Sequence, residues 1–215
     1  MRKKCINLIS IVLVFCLSTF NVAAFASTNA AKNISIRYVK AGWKSADTVV
    51  LVTGESSADA LCAAPLAKAY NAPIILINPK GQNSDVLNYL SSLGTKNAFI
   101  IGGTGVIPQT IEDLIKSKGI STNRIFGNDR YATSLKIAEQ VEEKLGTITE
   151  AVLANGSDES FADALSISSI AAYRGMPILL TKKDNLPDGV TSFLVCEFFK
   201  RNQKYIYNWR EWCYK

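Results

Sequence analysis

The chain has 215 residues, 48% of them apolar and 20% charged, with a formal net charge of +6. That balance excludes a disordered tail and a small disulfide knot, and the length allows one large domain or two of about 90 residues each. The excess charge sits at the ends: residues 1–26 carry three bases and no acid, residues 196–215 carry five bases and two acids, and the remaining bases and acids cancel. A neutral body offers a polyanion such as DNA or RNA little to bind, so nucleic-acid binding is not expected.

The chain opens with Arg2, Lys3 and Lys4, an apolar run from Ile6 to Phe20, and Ala24-Phe25-Ala26 before Ser27. This is the pattern of a cleaved secretory signal peptide over residues 1–26, and the polar breaks make the run too short to span a bilayer. No membrane association is expected after cleavage. Residues 27–35 read as a linker. A strand is expected at Thr48–Thr53, followed by Gly54, a Ser-x-x-Asp step at Ser56–Asp59, an Ala-rich helix, and a second strand after Pro73. Then come a helix from about Ser84 to Leu93, a strand at Asn97–Ile101, a turn at Gly102–Gly105 and a helix from Pro108 to Lys118. A second copy begins near Arg124. Its first helix, Tyr131–Leu145, sets Tyr131, Leu135, Ala138, Val141 and Leu145 on one face. A strand at Ala151–Ala154, Gly156, Ser160-Phe161-Ala162-Asp163, another Ala-rich helix and a strand after Pro177 follow.

Comparing the chain with itself at an offset of 104 lines up Ala58–Leu61 with Ala162–Leu165 and Pro73-Ile74 with Pro177-Ile178. Short apolar strands alternating with helices in a tandem repeat give an α/β fold with parallel sheets covered on both faces. The first copy is placed at 36–122 and the second at 123–194, incomplete.

The candidate functional residues each have a structural alternative. Ser56–Asp59 and Ser160–Asp163 fit capping boxes, in which hydroxyl and acid satisfy free amides of the first helical turn. Asp59 and Asp163 could instead act as acids at the carboxyl edge of a sheet, where α/β proteins bind ligands. The chain contains no histidine, which excludes a Ser-His-Asp enzyme. The Gly102-Gly103-Thr104-Gly105 turn lies between strand and helix, so its amides could cradle an anion. It lacks a P-loop lysine and the dinucleotide spacing, and no cofactor is expected. Asp129 precedes a helix and reads as a cap. Arg130 could fork onto a ligand carboxylate or phosphate, or pair internally with Asp163 or Asp129. Cys62, Cys196 and Cys213, left after leader removal, form neither a disulfide framework nor a zinc site, and no metal is expected.

Four motifs in order carry a family resemblance: FIIGGTGVI at Phe99–Ile107, GNDRYATS at Gly127–Ser134, the Gly156–Ser166 segment ending in ADALS, and MPILLT at Met176–Thr181. Together they resemble the cell-wall-binding type 2 repeat of Gram-positive surface proteins, over nearly all of Ile36–Leu194. The resemblance implies Rossmann-like modules, usually three in tandem. It also implies non-covalent attachment to an anionic secondary wall polymer, without catalysis, at the cell surface. Ligand contacts are then expected from Arg130, Asp129, Asp59, Asp163, Gly102, Gly103 and Gly156, with association between repeats of the same type as a further possibility.

Two departures from the pattern stand out. In the first copy Ile36-Arg37-Tyr38 runs directly into Val39–Trp43, so its first helix reads as deleted. After Phe193 the pattern dissolves into a tail at 195–215. Read one base out of frame, codons for Ile206–Lys215 permit (Phe or Tyr)-Ile-Ile-Gly-Gly-(Ser or Asn)-Gly-Val-Ile, which with Phe at the first position is Phe99–Ile107 with one change. The tail is therefore expected to be frameshifted and the chain a truncated fragment. The competing readings are a secreted enzyme on sugar or phosphate substrates using Asp59 or Asp163, and a structural surface protein assembling through open sheet edges.

Overall fold

The computed structural model describes residues 28–55, 57–81, 83–157, 161–196 and 205–208. The leader falls outside them, as do Ser56, Ser160, Cys213 and the side chain of Asp163. Among the described residues no helix is long and apolar enough to cross a membrane.

The apolar segments form the strands β1 (Thr48–Thr53), β2 (Ile74–Ile77), β3 (Asn97–Ile101), β4 (Ser121–Ile125), β5 (Glu150–Asn155), β6 (Ile178–Thr181) and β7 (Tyr205–Asn208). The helices are α1 (Thr28–Gly42), α2 (Ser57–Ala69), α3 (Ser84–Ser92), α4 (Gln109–Ser117), α5 (Arg130–Leu145), α6 (Phe161–Arg174) and α7 (Asp188–Leu194). One sheet has the order β2-β1-β3-β4 and the other β6-β5-β7, with every pairing parallel. The α/β class and the Rossmann-like modules with parallel sheets are those expected, and the second sheet is the smaller.

Alternation along β1 explains how the first sheet is covered on both faces. Val49 and Leu51 join α1, α3 and α4 through Ile36, Val39, Leu90, Ile111 and Ile115. Val50 and Val52 join a second core that also holds Leu66 of α2, Ile137 and Val141 of α5, and Val152 and Leu180 of the other sheet. The two repeats therefore share one core. Within the α5 stripe Ala138 and Val141 are buried as expected, whereas Leu145 is 46% exposed at the helix end and Ile137, outside the expected stripe, is also enclosed.

Several readings of the sequence are corrected. The first helix of the first copy is not deleted. Residues read as a linker form the start of α1, which packs on β2. The two copies match bond for bond here: Ser35 Oγ accepts from Leu76 N at 3.1 Å and donates to Lys32 O. Ser134 Oγ accepts from Leu180 N at 3.0 Å and donates to Tyr131 O. Each serine satisfies an amide on the open edge of a sheet, where strand pairing ends. Ser35 is thus the counterpart of Ser134, and Arg37-Tyr38 is not the counterpart of Arg130-Tyr131.

The fourth strand was not expected. Ser121–Ile125 pairs with β3, so Arg124, near which the second copy begins, also takes part in the first sheet. At the other end, part of the tail forms a strand. β7 pairs with β5 in the register Val152↔Tyr207, which repeats Val50↔Phe99 between β1 and β3.

Candidate functional site

The Gly127–Ser134 motif is held together from within. Asp129 caps α5, its Oδ1 accepting from Ala132 N at 2.7 Å. Gly127 N donates to the buried Thr133 hydroxyl at 3.0 Å. A Cβ at Gly127 would lie 2.4 Å from that of Ala132, so only glycine fits this approach. Arg130 Nη1 donates to the Gly156 carbonyl at 2.7 Å, tying the start of α5 to the loop after β5. Tyr131 closes the same corner, since a Cβ at Gly156 would stand 2.9 Å from its ring and 3.1 Å from Leu180 Cβ. Lys182 Nζ lies 5.9 Å above that ring. Arg130, Gly156, Tyr131 and Lys182 thus gather at the carboxyl ends of β5 and β6, the crevice side of a parallel sheet. Counting back from the matched serines, Ala31 stands in the first copy where Arg130 stands in the second.

At Gly102–Gly105 the structure uses the backbone as a tight turn. Gly102 has φ +117°, its N–H donates to Ile125 O, and the Gly103 carbonyl accepts from Val106 N and Ile107 N. The Gly102 amide, a candidate anion donor, is spent on β4. Sequence reasoning missed the residue that fixes this turn. Arg124 Nη1 donates to Gly102 O and Ile107 O, both at 2.9 Å, and its Nε donates to Glu112 Oε2 at 2.8 Å. Glu112 also accepts from Thr122 at 2.9 Å and from Lys116 at 2.8 Å. These partners hold the Glu112 carboxyl down at about 2, the Lys116 bond foremost, then those from Arg124 and Thr122, against the opposing pull of burial. The only sequence signal was a charged pair, Glu112 and Arg124, on elements with apolar neighbours.

Asp59 sits buried in the first turn of α2, and burial of the Cys62 thiol, with the Asp59 charge as the lesser cause, pushes that thiol up. Asp163 lies in the first turn of α6, with its side chain outside the described residues. The structure does not bring the seven expected contacts into one site: Gly102 and Gly103 lie with Arg124 after β3, while Asp129, Arg130 and Gly156 lie together after β5. Among the described residues no group of His, Cys, Asp and Glu has the arrangement of a metal site.

The family model of Cell wall binding domain 2 (CWB2) matches residues 22–112 and 124–206. The chain belongs to the CWB2 family. The first match starts upstream of Ile36, in keeping with α1 as part of the first repeat. Similar proteins include the N-acetylmuramoyl-L-alanine amidase LytC of Bacillus subtilis, 36% identical over 160 residues, covering 74% of this chain and 31% of that protein. The amidase enhancer of the same organism is 39% identical over 146 residues, 68% of this chain and 20% of that one. Among solved structures, Cwp6 from Clostridium difficile superposes with a TM-score of 0.76 at 33% identity, covering 83% of this chain and 27% of that one. Cwp8 gives 0.69 at 27% identity, covering 82% and 33%. The chain thus spans a third or less of the length of each of these relatives.

Proposed function

We propose that this CWB2 pair is exported by its leader and holds a surface protein, without catalysis, on an anionic secondary wall polymer. The observation that carries the reading is the family match across both repeats, on a fold whose second repeat collects cations at the carboxyl ends of its strands. The proposed contact is Arg130, held in place by the Gly156 carbonyl; the amides of Gly156 and Gly102 are spent on Thr181 and Ile125, so neither turn is proposed as an anion cradle. Asp129 caps the start of α5 beside Arg130. Such binding weakens with salt, because exposed charges are screened within about 10 Å at 0.1 M. The test is sedimentation with purified walls: the chain pellets at low salt, and less at high salt or with walls stripped of anionic polymer. A chain left in the supernatant at low salt, or equal binding to stripped walls, refutes the proposal.

The proposal also takes the chain as a fragment ended by a frameshift. The register of β7 supports this, since Tyr207 stands where Phe99 stands and the Phe or Tyr codon of the shifted frame straddles Ile206 and Tyr207. Sequencing the locus from Gly189 past Lys215 decides it. A one-base slip with an open frame beyond upholds the fragment, and a sound frame with a stop after Lys215 removes it.

A further inference from the structure

Parallel sheets covered on both faces are expected to be apolar throughout, yet one face of the first sheet changes character toward its amino edge. In register across β1, β3 and β4 stand Thr48, Asn97 and Ser121, and two residues on stand Val50, Phe99 and Asn123. Residues in register share a face. Its far end, at Ile101 and Ile125, is buried core, whereas Asn97, Ser121 and Asn123 are exposed. A cavity of about 250 Å³ opens there, walled by Tyr70 and Phe99 and lined by Thr48, Asn97, Ser121 and Asn123, with no charged side chain in it. Tyr70 meets Phe99 edge to face at 4.6 Å between centroids.

Asn123 is shared with a second cavity of about 250 Å³, which lies between β4 and α5 and ends at Phe126. Phe126 is 50% exposed, and a Cβ on Gly103 would come within 3.4 Å of its ring. Between the two cavities runs a chain of neutral hydrogen bonds. Asn123 Nδ2 donates to Gln140 Oε1, and Gln140 Nε2 donates to the Tyr70 hydroxyl, both at 3.2 Å. The charges along this groove do not favour a polyanion. Lys136 is paired to Glu139 at 2.7 Å, Glu143 is bonded to Gln140, and Arg124 is committed to Glu112. With Lys144 over the Tyr70 ring, at 4.9 Å from its centroid, acids and bases along the groove balance.

We propose that this groove binds a short neutral saccharide, distinct from the anionic polymer contacts at the carboxyl edges. Sugars present hydroxyls that pair with amides and hydroxyls, and apolar ring faces that lie on aromatic side chains. Asn97, Ser121, Asn123 and Gln140 supply the first, and the half-exposed Phe126 supplies the second. Amide and hydroxyl groups that both donate and accept suit such a ligand better than fixed charge does. The two cavities, about 250 Å³ each, border on the shared Asn123, and each has room for part of a short sugar.

The experiment is a titration of the full chain with N,N′-diacetylchitobiose and, separately, with maltose and inorganic polyphosphate, followed by ¹H–¹⁵N spectra that include side-chain amides. At least one of the two neutral sugars should move the Asn97, Asn123 and Gln140 amides saturably, with no dependence on salt. Asn97→Ala and Asn123→Ala, both at exposed positions, each weaken that binding about three- to tenfold, the worth of one net hydrogen bond, while thermal melting stays unchanged. Phe126→Ala weakens it too. The proposal is overturned by shifts that appear only with polyphosphate, by no shift with either sugar, or by sugar binding that both Asn variants leave intact. None of these readouts involves walls, so the result stands apart from the sedimentation test.

Discussion

Replacing Arg124 with methionine removes a guanidinium that is 9% exposed and makes three hydrogen bonds. What remains is Glu112, 8% exposed, with only Thr122 and the half-exposed Lys116 beside it, and two loop carbonyls, of Gly102 and Ile107, without their donor. Removing one partner of a buried pair costs about 3–5 kcal/mol, because the other charge is left behind, whereas replacing both with apolar or neutral groups is often close to neutral. We expect Arg124→Met to lower stability by about 3 kcal/mol, and Glu112→Gln combined with it to recover most of that loss. The pH dependence gives a second handle. The Glu112 carboxyl is held near 2, against 4.5 for an ordinary glutamate. A depressed folded-state value means that the unfolded chain binds the proton more readily, so this stabilisation is fully present above about pH 4.5 and is lost as pH falls toward 2. It amounts to about 3 kcal/mol at most. Urea denaturation at pH 7 and pH 3 measures both effects. In wild type the difference between the two pH values includes this contribution, and in Glu112→Gln it shrinks. If Arg124→Met costs less than about 1 kcal/mol, or if the double variant is no more stable than the single one, the account of the turn is refuted.

The other expectations are checked by similar means. Asp129→Ala loses the cap of α5 and costs about 1 kcal/mol in thermal or urea unfolding, while Asp129→Asn costs less because asparagine also caps. Ser35→Ala and Ser134→Ala each leave a strand-edge amide without its acceptor and cost about 1–3 kcal/mol, equally in the two repeats if their helices are equivalent. Gly156→Ala drives a methyl against Tyr131 and Leu180 and costs about 1–3 kcal/mol, and Tyr131→Ala in the same chain recovers part of the clash. Cys62, buried and with its thiol raised, resists alkylation in the native chain, whereas the exposed Cys196 reacts. Peptide mapping by mass spectrometry after brief alkylation tells the two apart.

The strands with strong apolar signals, β1, β3, β5 and the pair after Pro73 and Pro177, were legible because burial on both faces leaves little room for polar residues. The element missed, β4, reads Ser-Thr-Asn-Arg-Ile. It is an edge strand whose burial rises only at Ile125, and its polarity serves the Arg124 network on one face and the groove on the other. The misplacement of α1 has a different cause. Arg37-Tyr38 imitates the Arg130-Tyr131 pair, and the eye aligns residue types, whereas the sheet edge demands a serine one turn further into the helix. The cap at Asp129 was readable from local chemistry alone. The destination of Arg130 was not, because a backbone carbonyl carries no sequence signature.

This last point bears on how the signature motif is understood. Gly127, Asp129 and Thr133 hold the start of α5 together, Arg130 and Ser134 join it to the loop after β5 and to β6, and α5 in turn packs on α2 of the preceding repeat. The helix that begins the second repeat is thus also part of the wall of the first. Val50 and Phe99 of one sheet share a core with Val152 and Leu180 of the other, so neither repeat can bury its apolar face alone, as in repeat proteins generally. A motif that fixes the entry of α5 therefore fixes the joint between repeats. Loss of Arg130 should then disturb packing as well as any anion it meets, and wall binding by an Arg130 variant is interpretable only beside its melting curve.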